Sequence, residues 1–414
     1  MNSTSEHAVA LASARLTRLL AFLESDPNNL SLLGDATACA FDAQQFERCD
    51  ELLARQQALG AVPPESMHLR GLCAMARGKF EDALRAFAAL PDGESHPAIR
   101  YNKAYAHAML GAFDETLALL DEGVLTTIPQ AITLQMRSLH HQGRLDEVIE
   151  VGKRYADHPE TGIEVCGLLA AALFDAGHPD SAQQFASLAK SSPDGLAIGG
   201  LLALGEGREF DAMALFEQAL RIQPAHSRAL LGTGLVLLEQ HRFEQAAQYI
   251  DAASESFRTH AGSWIAAGWA HLLNGDLQLA RSRFEQGAHL DRGFAEAPGA
   301  LAIVALREGR LDEARAHMKV ALRLDPECLS AALAKSLLST SAGDQNTASQ
   351  ALDAALNRPL DPQGNTLAKA IARKVTRSNK TPPLTNRHKN WNRQTPDFSR
   401  MVDHLRNRTC PKNT

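Results

Sequence analysis

The sequence predicts an all-α solenoid in which about ten similar pairs of antiparallel helices follow one another along the chain. Three observations predict this fold. A short helix-start motif recurs at a spacing close to 34 residues. The chain is rich in Ala and Leu, and only 5% of its residues are aromatic, so side chains that favour sheets are few. At 414 residues it is also longer than one globular core usually allows, whereas repeats bury surface only against their neighbours.

The recurring motif consists of a turn Gly, an aromatic residue or Leu, acidic or amide side chains, and then a small residue. It reads GKFEDALRAF at residues 78–87, GRLDEVIEVG at 143–152 and GRLDEARAHM at 309–318. The small residue recurs after gaps of 34, 33, 32, 34, 30, 34, 34, 34 and 34 residues. Its ten positions are Cys49, Ala83, Thr116, Val148, Ala182, Ala212, Ala246, Ala280, Ala314 and Ala348. The shorter gaps in the first half predict clipped turns and irregular stacking there.

The two ends of the chain differ from the repeated part. Residues 1–27 contain one amphipathic stretch followed by Asp26-Pro27, which predicts an N-terminal capping helix ahead of repeats over residues 28–360. Residues 361–375 open with Asp361-Pro362, a pair typical of a helix start, and predict a C-terminal capping helix. Residues 376–414 are basic and poor in apolar side chains, a composition typical of disorder.

The repeat resembles the tetratricopeptide repeat family, whose pattern is W-x2-L-G-x2-Y, eight residues, then A-x3-F-x2-A-x4-P. One repeat supplies Trp264, Ala267, Gly268, Ala280 and Phe284, and an earlier one supplies Ala212, Phe216, Ala219 and Pro224. The match is strongest over residues 225–325. The resemblance implies a right-handed superhelical solenoid that works by holding other polypeptides, and it implies no catalytic residues.

The residues themselves also argue against an enzyme. The chain contains no P-loop, dinucleotide fingerprint, G-x-S-x-G or H-E-x-x-H sequence, so we expect no catalytic residue, cofactor or metal site. His140 and His141 are adjacent on a predicted helix, where they point about 100° apart and share one ion poorly. Acidic pairs such as Asp312-Glu313 fall in the first turn of a helix, where negative charge stabilises the N-terminus.

Charge and cysteine usage indicate a compartment but no partner. The net charge of −6 divides into −15 over residues 1–372 and +9 over residues 373–414. The six cysteines are scattered without a C-x-x-C pair, a pattern that favours a reducing environment. The start of the chain lacks a secretory signal, and no apolar run of about 18 residues is present. We therefore expect a cytoplasmic protein of bacterial type with no membrane span.

A candidate binding surface follows from helix geometry, because the residue after each W, G and Y position lies about 100° further around the first helix, toward the concave side. The predicted partner-binding groove consists of Leu201, Leu204, Leu231, Leu235, Leu238, Ile265, Trp269, Leu272, Ile303 and Leu306. A secondary groove consists of Tyr101, Tyr105 and Arg137. Alternatively, some of these residues pack against the next repeat. With Arg137 as the one cation in these positions, a clamp for the acidic C-terminus of a heat-shock chaperone is disfavoured.

Two functional hypotheses remain. In the first, the chain is a scaffold or chaperone-like adaptor that binds an apolar or amphipathic segment of another protein in its concave groove. In the second, it is a regulatory adaptor whose basic tail contacts nucleic acid or another acidic partner. Nucleic acid is the less favoured partner, because Trp391 and Phe398 are the only aromatics among the tail's cations. The sequence leaves open whether the tail occupies its own groove and whether the chain self-associates.

Overall fold

The structure is a computed structural model that describes residues 2–60, 63–90 and 95–357. Within these ranges the chain forms twenty-two α-helices and no β-strand. None of the helices in these ranges combines the length and the apolar character needed to cross a membrane. The chain divides into two compact units, unit 1 over Met1–Ala182 and unit 2 over Gln183–Thr414.

Unit 1 begins with the long helix α1 (Asn2–Ser25), which packs on the first helix pair. Its helix pairs are α2 (Leu30–Asp42) with α3 (Phe46–Ala58), α4 (Pro64–Ala76) with α5 (Phe80–Ala88), α6 (Pro97–Met109) with α7 (Phe113–Leu119), and α9 (Gln130–His141) with α10 (Leu145–Tyr155). A short helix α8 (Glu122–Thr127) precedes α9. The pair α11 (Gly162–Asp175) and α12 (Pro179–Leu188) follows, and the division between the units falls within α12.

Unit 2 continues with four further pairs, whose second helices have 14 or 15 residues. They are α13 (Pro193–Gly205) with α14 (Glu209–Ile222), α15 (Ser227–Glu239) with α16 (Phe243–Phe257), α17 (Ala261–Asn274) with α18 (Leu277–Leu290), and α19 (Glu296–Arg307) with α20 (Leu311–Leu324). The last described pair is α21 (Leu329–Ser341) with α22 (Gln345–Leu356). Among the first helices of these pairs, α13 contacts α15, α17 contacts α19, and α19 contacts α21.

The turn between the two helices of a pair is shown clearly by α17 and α18. Gly275 ends α17 at a φ of 88°, in the left-handed region that favours glycine. Asp276 follows directly, and its carboxylate accepts a hydrogen bond from the Leu279 backbone N–H at 3.1 Å, which caps α18. At this turn, Gly275 therefore ends one helix and Asp276 caps the next. In other pairs the residue after the turn glycine, such as Lys79 or Arg144, makes no side-chain cap.

The small residues of the repeat allow the two helices of a pair to approach closely around a phenylalanine. Ala212, Ala280 and Ala314 are completely buried. The buried ring of Phe216 on α14 lies against Gly200 of its own first helix and against Gly232 of the next first helix. A Cβ atom at Gly232 would stand 2.2 Å from the Phe216 Cζ atom. Phe216 therefore fills the space between successive pairs, as the repeat pattern predicts.

The predicted fold class is confirmed: the described residues form ten helix pairs of the tetratricopeptide type. The 32-residue spacing between Thr116 and Val148 has a local cause. Helix α7 has only seven residues, because Asp121 starts α8 directly after it and caps α8 by accepting from the Val124 N–H at 3.1 Å. The predicted C-terminal capping helix at residues 361–375 and the basic tail at 376–414 lie outside the described residues.

Candidate functional site

The ten residues of the predicted partner-binding groove all lie on the first helices of unit 2. Leu201 and Leu204 belong to α13, and Leu231, Leu235 and Leu238 belong to α15. The remaining five are Ile265, Trp269 and Leu272 on α17 and Ile303 and Leu306 on α19. The secondary set, Tyr101, Tyr105 and Arg137, lies on α6 and α9 of unit 1. The two predicted surfaces therefore belong to different compact units.

Three of the ten groove residues are core residues instead of surface residues. Ile265, Leu272 and Ile303 are only 6%, 7% and 4% exposed, and they share one buried cluster with Phe284. For Ile265 the reason is visible on the facing helix. A Cβ atom at Gly287 of α18 would stand 2.7 Å from the Ile265 Cδ1 atom, so the isoleucine occupies the space that glycine leaves open. These three residues leave little surface for a partner, and the contact shown for Ile265 is with the second helix of its own pair.

The other seven groove residues are half-buried, and we refer to them together as the apolar stripe. They are Leu201, Leu204, Leu231, Leu235, Leu238, Trp269 and Leu306. Their inner sides pack on the core: Leu201 and Leu204 rest on the cluster around Phe216, and Trp269 and Leu306 rest on the cluster around Phe284. Each keeps part of its side chain accessible. The apolar stripe is thus a supported surface instead of a loose set of exposed side chains.

Trp269 is the largest residue of the apolar stripe, and its indole ring is held in place from below. The ring meets Phe284 edge to face, with ring centroids 5.8 Å apart and an angle of 76° between the planes. Phe284 is itself completely buried. Because the buried phenylalanine fixes one edge of the indole, Trp269 can offer its remaining surface at a low entropic cost.

A polar network on the neighbouring helices stiffens this part of unit 2. Asp251 of α16 accepts two hydrogen bonds from Arg283 of α18, at 2.8 and 3.1 Å, and lies 2.9 Å from His271 Nε2 of α17. Burial opposes ionisation of Asp251, but the hydrogen bonds from His271 and Arg283 outweigh it and hold the pKa of the carboxyl below its ordinary value. The Arg283 guanidinium also lies 5.5 Å from the centre of the Trp264 ring. Sequence reasoning missed this network, because its members lie 12 to 32 residues apart without a shared motif.

A second polar contact joins the N-terminal ends of two consecutive first helices. The Glu296 carboxylate of α19 accepts from the backbone N–H groups of Leu329 and Ser330, at 2.9 and 3.2 Å, and from the Ser330 hydroxyl. These N–H groups belong to the first turn of α21, where a carboxylate also interacts favourably with the helix dipole. A side chain of one pair therefore caps the first helix of the next.

The secondary groove residues in unit 1 are more polar and less close together. The Tyr105 ring meets Phe80 edge to face, with centroids 6.4 Å apart, and Tyr101 is half-buried. Burial raises the pKa of the Tyr101 hydroxyl, and neighbouring Tyr105 adds to this effect. Arg137 is exposed on α9. The two tyrosines therefore lie one helical turn apart on α6, and Arg137 lies on a different helix.

The ionisable residues singled out in the sequence form separate contacts. His140 Nε2 lies 2.8 Å from a carboxylate oxygen of Asp175, whereas the His141 ring stacks on Phe113 with centroids 4.9 Å apart. Across the described ranges, no group of three or more His, Cys, Asp and Glu side chains is placed to hold a metal ion. The two adjacent histidines thus have different partners, as their helical geometry predicts.

Comparison with known families supports the repeat assignment. Two family models described as tetratricopeptide repeat match the chain, one at residues 203–264 and 271–339 and the other at residues 68–131. Among curated protein sequences, none matches.

Solved structures of similar fold share little sequence with this chain. The Cut9–Hcn1 hetero-tetramer of the APC/C gives a TM-score of 0.46 at 13% identity, with 91% of this chain and 89% of that chain covered. Human IFIT1 gives 0.48 at 13% identity, with 80% and 91% covered. MamA from Desulfovibrio magneticus RS-1 gives 0.34 at 18% identity, with 40% and 95% covered.

Proposed function

The chain is a tetratricopeptide repeat protein, and from that premise we propose that it is a non-enzymatic interaction scaffold, chaperone-like in its action. Its partner is an amphipathic helical segment of another polypeptide, whose apolar face lies on the apolar stripe. The observation that carries the proposal is the run of half-buried leucines and one tryptophan along four first helices of unit 2.

The chemistry of the apolar stripe favours this class of partner. Its side chains are aliphatic or aromatic, so they gain free energy by removing apolar surface from water instead of by specific hydrogen bonds. An amphipathic helix presents apolar residues three and four positions apart, and such a row can follow a row of leucines on neighbouring helices. Tryptophan is enriched among residues that dominate binding energy, and Trp269 is already fixed by Phe284.

The test uses the full chain with a photo-reactive amino acid in place of Leu235. This residue lies on α15 within the apolar stripe and is half-buried. Crosslinked partner segments are identified by mass spectrometry, synthesised, and titrated against the protein by fluorescence anisotropy. We expect Leu235→Asp to weaken binding of the segment by about 30-fold, which corresponds to about 2 kcal/mol.

Leu311→Asp provides the matched control, because Leu311 is a 43% exposed leucine on the second helix α20. It introduces the same charge outside the apolar stripe, so its binding should stay close to that of the unchanged chain. Circular dichroism establishes that both variants keep their helical content. Equal crosslinking from positions 235 and 311, or equal loss of affinity in both variants, would overturn the proposal.

The same experiment separates this function from its alternative, a regulatory adaptor that acts through the basic tail. Residues 373–414 carry 11 Lys and Arg against 2 Asp and Glu, so binding through them should fall steeply as salt is added. Binding through the apolar stripe should persist at moderate salt. Partner binding that survives Leu235→Asp but is abolished by deleting residues 376–414 would establish the tail as the functional element.

A further inference from the structure

A cavity of about 470 Å³ opens in unit 1 between α3, α4 and α5, well outside the apolar stripe. Four cationic side chains line it. Arg70 lies on α4, and Arg77 directly follows that helix. Lys79 directly precedes α5, and Arg85 lies within it. We refer to it as the basic cavity. The charge is notable because the surrounding part of the chain is acidic, with a net charge of −15 over residues 1–372.

Small side chains line the space, and one of them stands where some other repeats carry a larger residue. Ala74 lies nine residues before Ala83, the small residue of its repeat. In the repeat of Ala280, the corresponding position is His271. His271 fills its site and contacts Asp251, whereas Ala74 leaves the corresponding space open. Ala86 of α5 also lines the basic cavity and adds apolar surface to its wall.

The charges in the basic cavity are only half neutralised. Arg77 forms an ion pair with Asp50 of α3, and Arg85 forms one with Asp82 in its own helix. Arg70 donates a hydrogen bond to the amide oxygen of Gln57 at 2.9 Å, which is a neutral partner.

Lys79 forms no ion pair with any residue that the structure describes. The lining therefore carries four positive charges against the two carboxylates of Asp50 and Asp82, a surplus of two.

The helix-pair fold does not require this cluster. In the next pair, α6 and α7, the four corresponding positions are Lys103, Leu110, Ala112 and Ala118. In the pair α17 and α18 they are Ala267, Asn274, Asp276 and Ser282. These pairs adopt the same arrangement with one cation or none at the four positions, so the basic cluster needs an explanation other than folding.

We propose that the basic cavity binds a phosphate monoester. At neutral pH such a group carries a charge of about −1.5 to −2, which matches the surplus of the lining. Arginine guanidinium groups bind phosphate oxygens through paired hydrogen bonds, and lysine adds a point charge. Arg70 and Lys79 are the primary ligands, and Arg77 and Arg85 are shared with Asp50 and Asp82. The site lies in unit 1 and does not depend on the function proposed for the apolar stripe.

The test is a calorimetric titration of the full chain with O-phospho-L-serine at constant ionic strength, alongside phosphorus NMR of the ligand. Unphosphorylated serine serves as the ligand control. A short glycine peptide with one central phosphoserine and blocked ends forms a second arm. Binding of both phosphorylated probes identifies a phosphorylated side chain of a polypeptide as an acceptable source. Binding of the free amino acid alone restricts the site to small organic phosphates.

If the proposal holds, two variants change the affinity for O-phospho-L-serine in opposite directions. The double variant Arg70→Gln/Lys79→Gln should bind O-phospho-L-serine about tenfold more weakly or worse, because it loses charged hydrogen-bond donors. Asp50→Asn should bind about threefold more tightly, since it removes a carboxylate that competes for Arg77. A structural role for Asp50 would not raise affinity, so this variant tests the proposal even if the double variant folds poorly.

The matched control is Arg48→Gln/Arg144→Gln, which removes the same charge from unit 1 at exposed residues that pair with Glu51 and Glu147. It should bind within about twofold of the unchanged chain, because exposed pairs contribute little. The proposal is overturned if O-phospho-L-serine does not bind at about 1 mM. It is equally overturned if the control loses as much affinity as the cavity variant.

Discussion

Replacing two adjacent glycines on α13 with alanine, one at a time, should change the stability of unit 2 in opposite directions. Gly199 and Gly200 both lie inside the helix, but they face different neighbours. A Cβ atom at Gly199 would lie 3.6 Å from the Leu215 Cδ1 atom, which is ordinary van der Waals contact. A Cβ atom at Gly200 would lie 2.5 Å from the Phe216 Cε1 atom, which is too close for any real contact.

The phenylalanine cannot easily move away from Gly200. Its ring is completely buried, and on its other side it already touches the backbone of Gly232 on α15. Relief therefore requires α13 and α14 to separate or the ring to leave its rotamer, and overpacking of this kind typically costs about 1–3 kcal/mol. Alanine is also about 1 kcal/mol more favourable than glycine within a helix, and this gain applies equally at both positions.

We therefore expect Gly199→Ala to stabilise unit 2 by up to about 1 kcal/mol and Gly200→Ala to be about 1–3 kcal/mol less stable than Gly199→Ala. The helix preference of alanine contributes equally to both variants. The difference between their free energies of unfolding therefore measures the cost of packing the methyl group against Phe216. Urea denaturation followed by circular dichroism measures it, provided that the slope of the transition is unchanged.

A variant that combines Gly200→Ala with Phe216→Leu tests whether the phenylalanine ring causes the loss of stability. Adding Phe216→Leu to Gly200→Ala should cost less than Phe216→Leu costs alone, because the smaller side chain leaves room for the new methyl group. Stabilisation of equal size at both glycines would refute the argument, since it would show that the ring between α13 and α15 has space to move.

Two further predictions concern buried polar groups. Gln56 is completely buried, and neither its amide nitrogen nor its oxygen has a hydrogen-bond partner among the described residues. Gln56→Leu should therefore raise the free energy of unfolding by about 1–2 kcal/mol, and a lower urea midpoint would instead show that the amide is satisfied. Asp251→Asn should destabilise the protein by about 2 kcal/mol at neutral pH, because it weakens the bonds from Arg283 and His271. Since the pKa of Asp251 is lowered in the folded state, its contribution is present above the unfolded value of about 3.9 and is lost as pH falls through the folded value. Urea midpoints of the variant and the unchanged chain should converge in acid, and a gap independent of pH would exclude a role for the carboxylate charge.

The spacing of small residues was sufficient to predict the helix pairs, because that spacing is itself a packing requirement. Ala280 and Ala314 must be small where two helices cross, and both are completely buried. The irregular region was predictable in position but not in form. Nothing in the sequence pattern distinguishes a clipped turn from an extra helix, and it is the cap at Asp121 that produces α8.

The burial of the predicted binding residues could not be predicted from the sequence, because helical periodicity gives the direction of a side chain but not its depth below the surface. Ile265 and Trp269 lie four residues apart on the same side of α17, and both were assigned to the groove. One is buried and the other is half-exposed, since Gly287 on the facing helix admits the isoleucine. Gly287 lies 22 positions after Ile265 in the same repeat, where the repeat pattern has its second Ala. The pattern therefore marks a small residue there but does not identify the side chain that fills the space.

The basic cavity was also beyond the reach of the repeat pattern. Its cations are spread over residues 70–85 and mix with acidic residues, so the sequence shows no charge run there. Only the folded arrangement of α3, α4 and α5 reveals that Asp50 and Asp82 neutralise two of the four cations.

The contact of Glu296 with the start of α21 gives the chain a direction of assembly. Glu296 precedes the helix that it caps by 33 residues, so on a ribosome the carboxylate emerges before the N–H groups that need it. The newly made helix α21 therefore meets a finished neighbour that completes its first turn. Shortening the protein from its C-terminal side removes α21 and leaves intact the repeat that contains Glu296. Shortening it from the N-terminal side past Glu296 leaves α21 with unsatisfied N–H groups, so these two truncations should differ in cost although they remove similar repeats.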